Sequence, residues 1–158
     1  MMELFHSESE ADTRAIGEAL ACALVPDGVL LLSGDLGSGK TVLTQGLAEG
    51  LGIQSTEVQS PTFTLIREHH GSRGDLIHID LYRLEGQELE ALGLWEILAG
   101  PGVKAVEWSE RLSFANPGAI SVILRIAKAN CRREIEIVAL GPEEELQKAL
   151  TSVSALLA

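Results

Sequence analysis

Hydrophobic positions along the chain alternate between helical and strand-like spacing, and the switches fall at glycine, proline and short polar clusters. Ala15, Ile16, Ala19, Leu20, Ala23 and Leu24 recur at helical intervals behind Ser7 and Glu10, which have the spacing of a capping box, so a helix is predicted over about 8–24. Pro26-Asp27-Gly28 ends it and leads into an apolar run, Val29-Leu30-Leu31-Leu32, read as the first strand. Leu43, Leu47 and Leu51 then mark the buried side of a second helix, closed by Gly50 and Gly52. Residues 62–69 read as a strand, 71–75 as a turn and 76–80 as a returning strand, a hairpin that makes the sheet mixed.

Farther on, Leu89, Leu92, Leu94, Ile97 and Leu98 predict one or two short helices, interrupted at Gly93 and ended by Gly100-Pro101-Gly102. Residues 103–108 form another strand candidate, and 120–126 with 134–140 a second hairpin. Pro142 followed by Glu143, Glu144 and Glu145 opens a last helix, because proline suits the first helical position and acids suit the positive helix end. No repeat, low-complexity tract or linker interrupts this order, which predicts one α/β domain over residues 1–158.

Composition narrows the class. The 158 residues are 46% hydrophobic and 22% charged, as expected of a soluble globular protein with a substantial core. The strongest apolar run is four residues, and the N-terminus lacks a basic region followed by an apolar stretch, so a cytoplasmic location is expected. Cys22 and Cys131 form no C-x-x-C and are read as two reduced, small hydrophobes. The net charge of −11, from 23 acids against 12 lysines and arginines, opposes autonomous binding to nucleic acid, so any RNA-related role needs a partner. The Arg132-Arg133 pair is too small to reverse this balance, though two arginines could serve a bound nucleotide.

The chemistry is concentrated in residues 34–41, Gly-Asp-Leu-Gly-Ser-Gly-Lys-Thr, a complete G-x-x-x-x-G-K-[ST] P-loop between the first strand and the second helix. Its glycines let backbone N–H groups curl around a polyphosphate, and the helix adds its positive end. Lys40 would reach the β- and γ-phosphates and the Thr41 hydroxyl would bind Mg²⁺. Hydrolysis further requires a carboxylate near the metal. Two apolar runs end in one, at Asp80 and at Glu107, and local sequence does not choose between them. His78 shares a strand face with Asp80 and reads as a packed histidine before a metal ligand. Tyr82 and Trp108, each just beyond an acid, could stack on a base or pack at the rim. Thr62, in Ser60-Pro61-Thr62-Phe63-Thr64, lies where a nucleotide-sensing loop could contact Mg²⁺ or a γ-phosphate. The absence of N-K-x-D modestly favours adenine over guanine.

Four segments agree in type and order: GDLGSGKT at 34–41, SPTFTL at 60–65, HIDLYRL at 78–84 and VEWSERL at 106–112. From about residue 13 to 132 the chain resembles the TsaE (YjeE) family, small bacterial P-loop ATPases needed for threonylcarbamoyladenosine formation at position 37 of tRNAs reading codons that begin with adenine. The resemblance implies a P-loop NTPase-like three-layer sandwich around a mixed sheet. It implies ATP and Mg²⁺ as cofactors, and action with the TsaD and TsaB proteins rather than on tRNA directly. Gly37, Ser38, Gly39, Lys40, Thr41 and Val42 would hold the phosphates, Thr41 and Glu107 would flank Mg²⁺, and Asp80 would be a catalytic or switch carboxylate. Thr13 and Arg132 match positions near the nucleotide, Thr62 falls in a switch-like segment, and Trp108 lies beside the site.

Two positions depart from the family pattern. Val42 stands where threonine is common and removes a hydroxyl while keeping its backbone N–H; Ser38 replaces a frequent alanine in a loop that works through its backbone. Two other functions use the same loop. A small-molecule kinase would need an arginine-bearing lid, which Arg111, Arg125, Arg132 and Arg133 do not obviously supply. A nucleotide-gated docking module with incidental hydrolysis differs from an ATPase only in whether turnover matters.

Overall fold

Capping fixes the start of the first helix, α1 (Glu10–Leu24), two residues beyond the sequence expectation. The Asp12 N–H donates to Ser9 Oγ at 3.1 Å, and Asp12 Oδ2 accepts from the Glu8 N–H at 3.0 Å, one residue before the cap, so Ser9 and Asp12 rather than Ser7 and Glu10 cap the helix. Ser7 instead ends a strand, β1 (Met2–Ser7), that the pattern did not announce. Its alternation is hidden because Met2 and Leu4 face outward while Phe5 and Ser7 face the core. The computed structural model describes residues 2–61, 65–84, 93–112, 119–126, 133–139 and 143–157.

The remaining elements are β2 (Val29–Gly34), α2 (Lys40–Gly50), β3 (Ile66–His70), β4 (Asp75–Asp80), α3 (Leu94–Ala99), β5 (Val103–Glu107), β6 (Ile120–Ile126), β7 (Arg133–Ala139) and α4 (Glu143–Leu157). Single 3₁₀ turns cover Ser55–Glu57 and Ser109–Arg111. Both predicted hairpins form: β3 pairs antiparallel with β4, and β6 with β7. The first strand of the former begins at Ile66, because Leu65 adopts φ 67° and breaks extended geometry just before it; residues 62–64 lie outside the described residues. The helix expected after Glu85 is described only from Leu94.

The sheet order is β1-β7-β6-β2-β5-β4-β3, with β2 parallel to both neighbours, β5 and β6, and β4 parallel to β5. The fold is thus α/β with a mixed seven-stranded sheet, as expected. Leu30, Leu32, Val103 and Ala105 face the larger core with α1, α2 and α4. Val29, Ile79 and Val106 face the smaller one with Leu94 and Leu98 of α3, which gives three layers of unequal thickness. Burial of Ile16, Leu20, Leu43 and Leu47 between α1, α2 and the sheet contributes about 1.5–3 kcal/mol for each side chain. The two helices approach closely at Gly17: a Cβ there would stand 2.1 Å from the Leu43 carbonyl oxygen. This contact holds α2, and with it the P-loop, against the molecule.

Candidate functional site

β2, β4 and β5 run parallel and end at one edge of the sheet, where the following loops diverge and leave a cleft. The loop after β2 winds into α2 through Gly39, whose φ of 110° is strained for any residue bearing a Cβ. This brings the first turn of α2 to the cleft, so its unpaired N–H groups face outward there. The cleft has a volume of about 450 Å³, and its wall includes Gly37, Gly39, Lys40, Thr41 and Val42 of this segment, with Asp80, Glu107 and Trp108 opposite.

Lys40 is held by the loop it belongs to. Its Nζ donates to the carbonyl oxygens of Gly34 at 2.7 Å and Asp35 at 2.9 Å, and lies 4.1 Å from the centre of the Trp108 ring. Burial pushes the ammonium below the usual lysine range, and Glu107, Glu110, Asp80 and Asp35 pull it back upward. Trp108 reaches this place because the chain turns sharply after Glu107: it adopts φ 60°, the left-handed region, and so leaves β5 one residue earlier than the sequence suggested. Its ring meets Tyr82 with centroids 4.9 Å apart, so the two aromatic residues form one wall of the cleft.

The carboxylates occupy distinct settings. In the β4–β5 register Asp80 lies beside Glu107. The Ser60 hydroxyl donates to Asp80 Oδ2 at 2.7 Å and the Tyr82 N–H to Oδ1 at 2.8 Å, which together fix the carboxylate at the cleft wall. Glu107 accepts from the Thr41 hydroxyl at 3.0 Å and is also bonded to Nε2 of His78, a fully buried side chain. Among the described residues no group of three or more His, Cys, Asp or Glu side chains could cage a metal ion. The Thr41 hydroxyl and Glu107 carboxylate nevertheless offer adjacent hard oxygens beside a phosphate-type loop. That fits a small divalent cation that takes one or two protein oxygens and completes its shell with water and phosphate.

Most of the expected site residues therefore converge. Ser38 lies just beneath the loop surface, where its carbonyl accepts from Arg133 Nε at 3.0 Å. Thr13 is buried behind the cleft, bonded to Ser7 Oγ at 2.7 Å, and from the same helix it is Glu10 that reaches the wall. Thr62 and Arg132 lie outside the described residues. Sequence reasoning did not single out Ser60 as the partner of Asp80, nor Arg133 as the arginine that braces the loop. Ser60 lies in the same loop segment as Thr62, and Arg133 opens β7 beside Arg132; local sequence does not give their contacts with Asp80 and the loop.

Among the described residues no helix is long and apolar enough to cross a membrane. The family described as "Threonylcarbamoyl adenosine biosynthesis protein TsaE" matches residues 7–135. A tRNA threonylcarbamoyladenosine biosynthesis protein TsaE from Nostoc is 44% identical over 137 residues, covering 84% of this chain and 83% of the relative. The protein of the same name from Bacillus subtilis is 42% identical over 135 residues, covering 85% and 84%. The crystal structure of Bacillus subtilis YdiB superposes with a TM-score of 0.74 at 32% identity, over 98% of this chain and 95% of that one.

Proposed function

The chain belongs to the TsaE family, and from that premise we propose that it is an ATP- and Mg²⁺-dependent ATPase acting in threonylcarbamoyladenosine modification at position 37 of tRNAs that read codons beginning with adenine. The observation that carries the reading is the convergence of the Lys40 loop, Thr41, Glu107 and Asp80 on one cleft. The N–H groups of Gly37 to Val42 bind the phosphates, and the Lys40 ammonium exchanges its carbonyl partners for phosphate oxygens. Thr41 and Glu107 hold Mg²⁺, which when bound offsets charge on the β- and γ-phosphates. Asp80, oriented by Ser60 and the Tyr82 N–H, positions the water that attacks. Trp108 and Tyr82 shield one side of the cleft from bulk solvent.

The partners are TsaD and TsaB, which carry out the threonylcarbamoyl transfer, and the tRNA base is not handled by this chain. The net charge of −11 supports that division, since a protein-docking ATPase needs no phosphate-binding surface for RNA. ATP binding favours docking, and hydrolysis resets the complex. Cells lacking the protein test the proposal when given wild type or Glu107→Ala and assayed for threonylcarbamoyladenosine in their tRNA. Loss of the modification with Glu107→Ala is expected; equal support by both proteins contradicts the reading.

A further inference from the structure

His78 lies on β4 two positions before Asp80 and faces the side of the sheet covered by α2. In the parallel register it stands opposite Ala105, not opposite Glu107. The small Ala105 side chain leaves the imidazole room to lean diagonally toward β5, where its Nε2 bonds to Glu107 Oε2. The Thr41 hydroxyl donates to Glu107 Oε1 at 3.0 Å and lies 3.4 Å from Oε2, so Oε1 is its nearer partner. The histidine is 0% exposed and Glu107 3%, so water does not compete for this bond. Nδ1 of His78 has no hydrogen-bond partner among the described residues. A buried imidazole kept at the cost of an unpaired nitrogen, with its other nitrogen on a candidate metal-binding carboxylate, calls for a reason beyond packing.

We propose that His78 is the positioning residue of the metal site: its Nε2–H holds the Glu107 carboxylate in the rotation that makes Oε1 the oxygen nearer to Thr41. A carboxylate at a strand end can rotate about its last bond, and each rotation presents different lone pairs to the cleft. A bond to Oε2 from beneath the sheet surface removes that freedom before any cation arrives. Hydrogen-bonded supports of metal ligands commonly govern metal affinity in this way. The inference rests on the assignment of Glu107 and Thr41 to Mg²⁺ and goes beyond it, because it concerns a side chain that does not touch the metal.

The test is Mn²⁺ binding to the protein–ADP complex, read by electron paramagnetic resonance, alongside ADP affinity in excess chelator. The variants are His78→Leu, which keeps the bulk and removes the bond, and His78→Gln, whose amide nitrogen takes the place of Nε2. His78→Leu is expected to weaken Mn²⁺ by about 10–100-fold, leave metal-free ADP affinity within about twofold, and be largely rescued in His78→Gln. Unchanged Mn²⁺ affinity in His78→Leu, or an equal loss of metal-free ADP affinity, overturns the proposal. Should His78→Leu fail to fold, His78→Asn replaces it, since its amide nitrogen reproduces Nδ1 instead: weaker Mn²⁺ binding than in His78→Gln supports the proposal and equal binding overturns it. Glu107→Ala separates the two levels. If it binds Mn²⁺ as the wild type does, the metal assignment itself has failed; if it loses Mn²⁺ while His78→Leu does not, only the role of His78 has.

Discussion

The Thr41 hydroxyl donates to the Glu107 carboxylate at 3.0 Å although 66 positions separate the two residues. One lies in the first turn of α2 and the other closes β5, and the parallel pairing of β2 with β5 brings them together: Leu32 is opposite Glu107 in the register. If both serve one cation, their losses do not add. Thr41→Val and Glu107→Gln are each expected to lower Mg²⁺-supported ATP hydrolysis by about 10²-fold or more, and the double variant by little beyond the worse single one. A double-mutant cycle on kcat/KM checks this; additive losses show that the residues act separately.

The proposed role of Asp80, positioning the attacking water, carries a different kinetic signature. Its contacts with Ser60 and the Tyr82 N–H fix the carboxylate, and Asp80→Asn retains an acceptor of the same shape. The variant is expected to lose about 10²–10⁴-fold in kcat with nucleotide affinity close to wild type. A loss confined to KM places Asp80 in binding instead.

The close approach of α1 to α2 predicts a stability defect far from the chemistry. Gly17→Ala sets a methyl group 2.1 Å from the Leu43 carbonyl oxygen, a backbone atom that cannot rotate away. The expected cost is about 3 kcal/mol, measured by urea unfolding. A change below about 0.5 kcal/mol, the range of ordinary surface substitutions, shows that the helices separate freely.

Lys104 is 0% exposed, and its Nζ donates to the carbonyl oxygens of Asp27 at 2.7 Å and Gly100 at 2.6 Å. Burial lowers its pKa from the usual lysine value, with Asp27 opposing. Between the lowered folded value and the usual unfolded one, the unfolded chain holds more proton, so this group's contribution to stability rises with pH through that interval and is flat below it. Lys104→Met leaves two carbonyls without their donor and is expected to cost about 1–3 kcal/mol at neutral pH. The gap between wild type and variant is expected to widen on the alkaline side. Denaturation across pH 7 to 10 reads it, and a gap that narrows contradicts the sign.

Much of this was legible in the chain. The P-loop and both hairpins are local patterns, each carried by its own glycines, polar turns and alternation, and both hairpins form, with β3 beginning at Ile66 rather than at residue 62. The choice of Glu107 over Asp80 as the Thr41 partner was not local: both acids end buried strands and sit side by side in the register. Only the resemblance ranks Glu107 as the metal residue; the structure shows that its carboxylate is the one within 3.0 Å of the Thr41 hydroxyl. Strand β1 escaped notice because its exposed residues, Met2 and Leu4, are apolar and cancel the alternation. The sequence reads His78 as a packed histidine, and it is fully buried; its bond to Glu107 depends on Ala105 being small on the neighbouring strand, which β4 alone does not reveal.

ATP turnover of the purified protein, alone and with TsaD and TsaB from the same organism, shows whether it is a Lys40-dependent ATPase working on a partner complex. Turnover that rises with the partners and disappears in Lys40→Ala is the predicted result. Turnover that ignores the partners, or that persists in Lys40→Ala, contradicts the account.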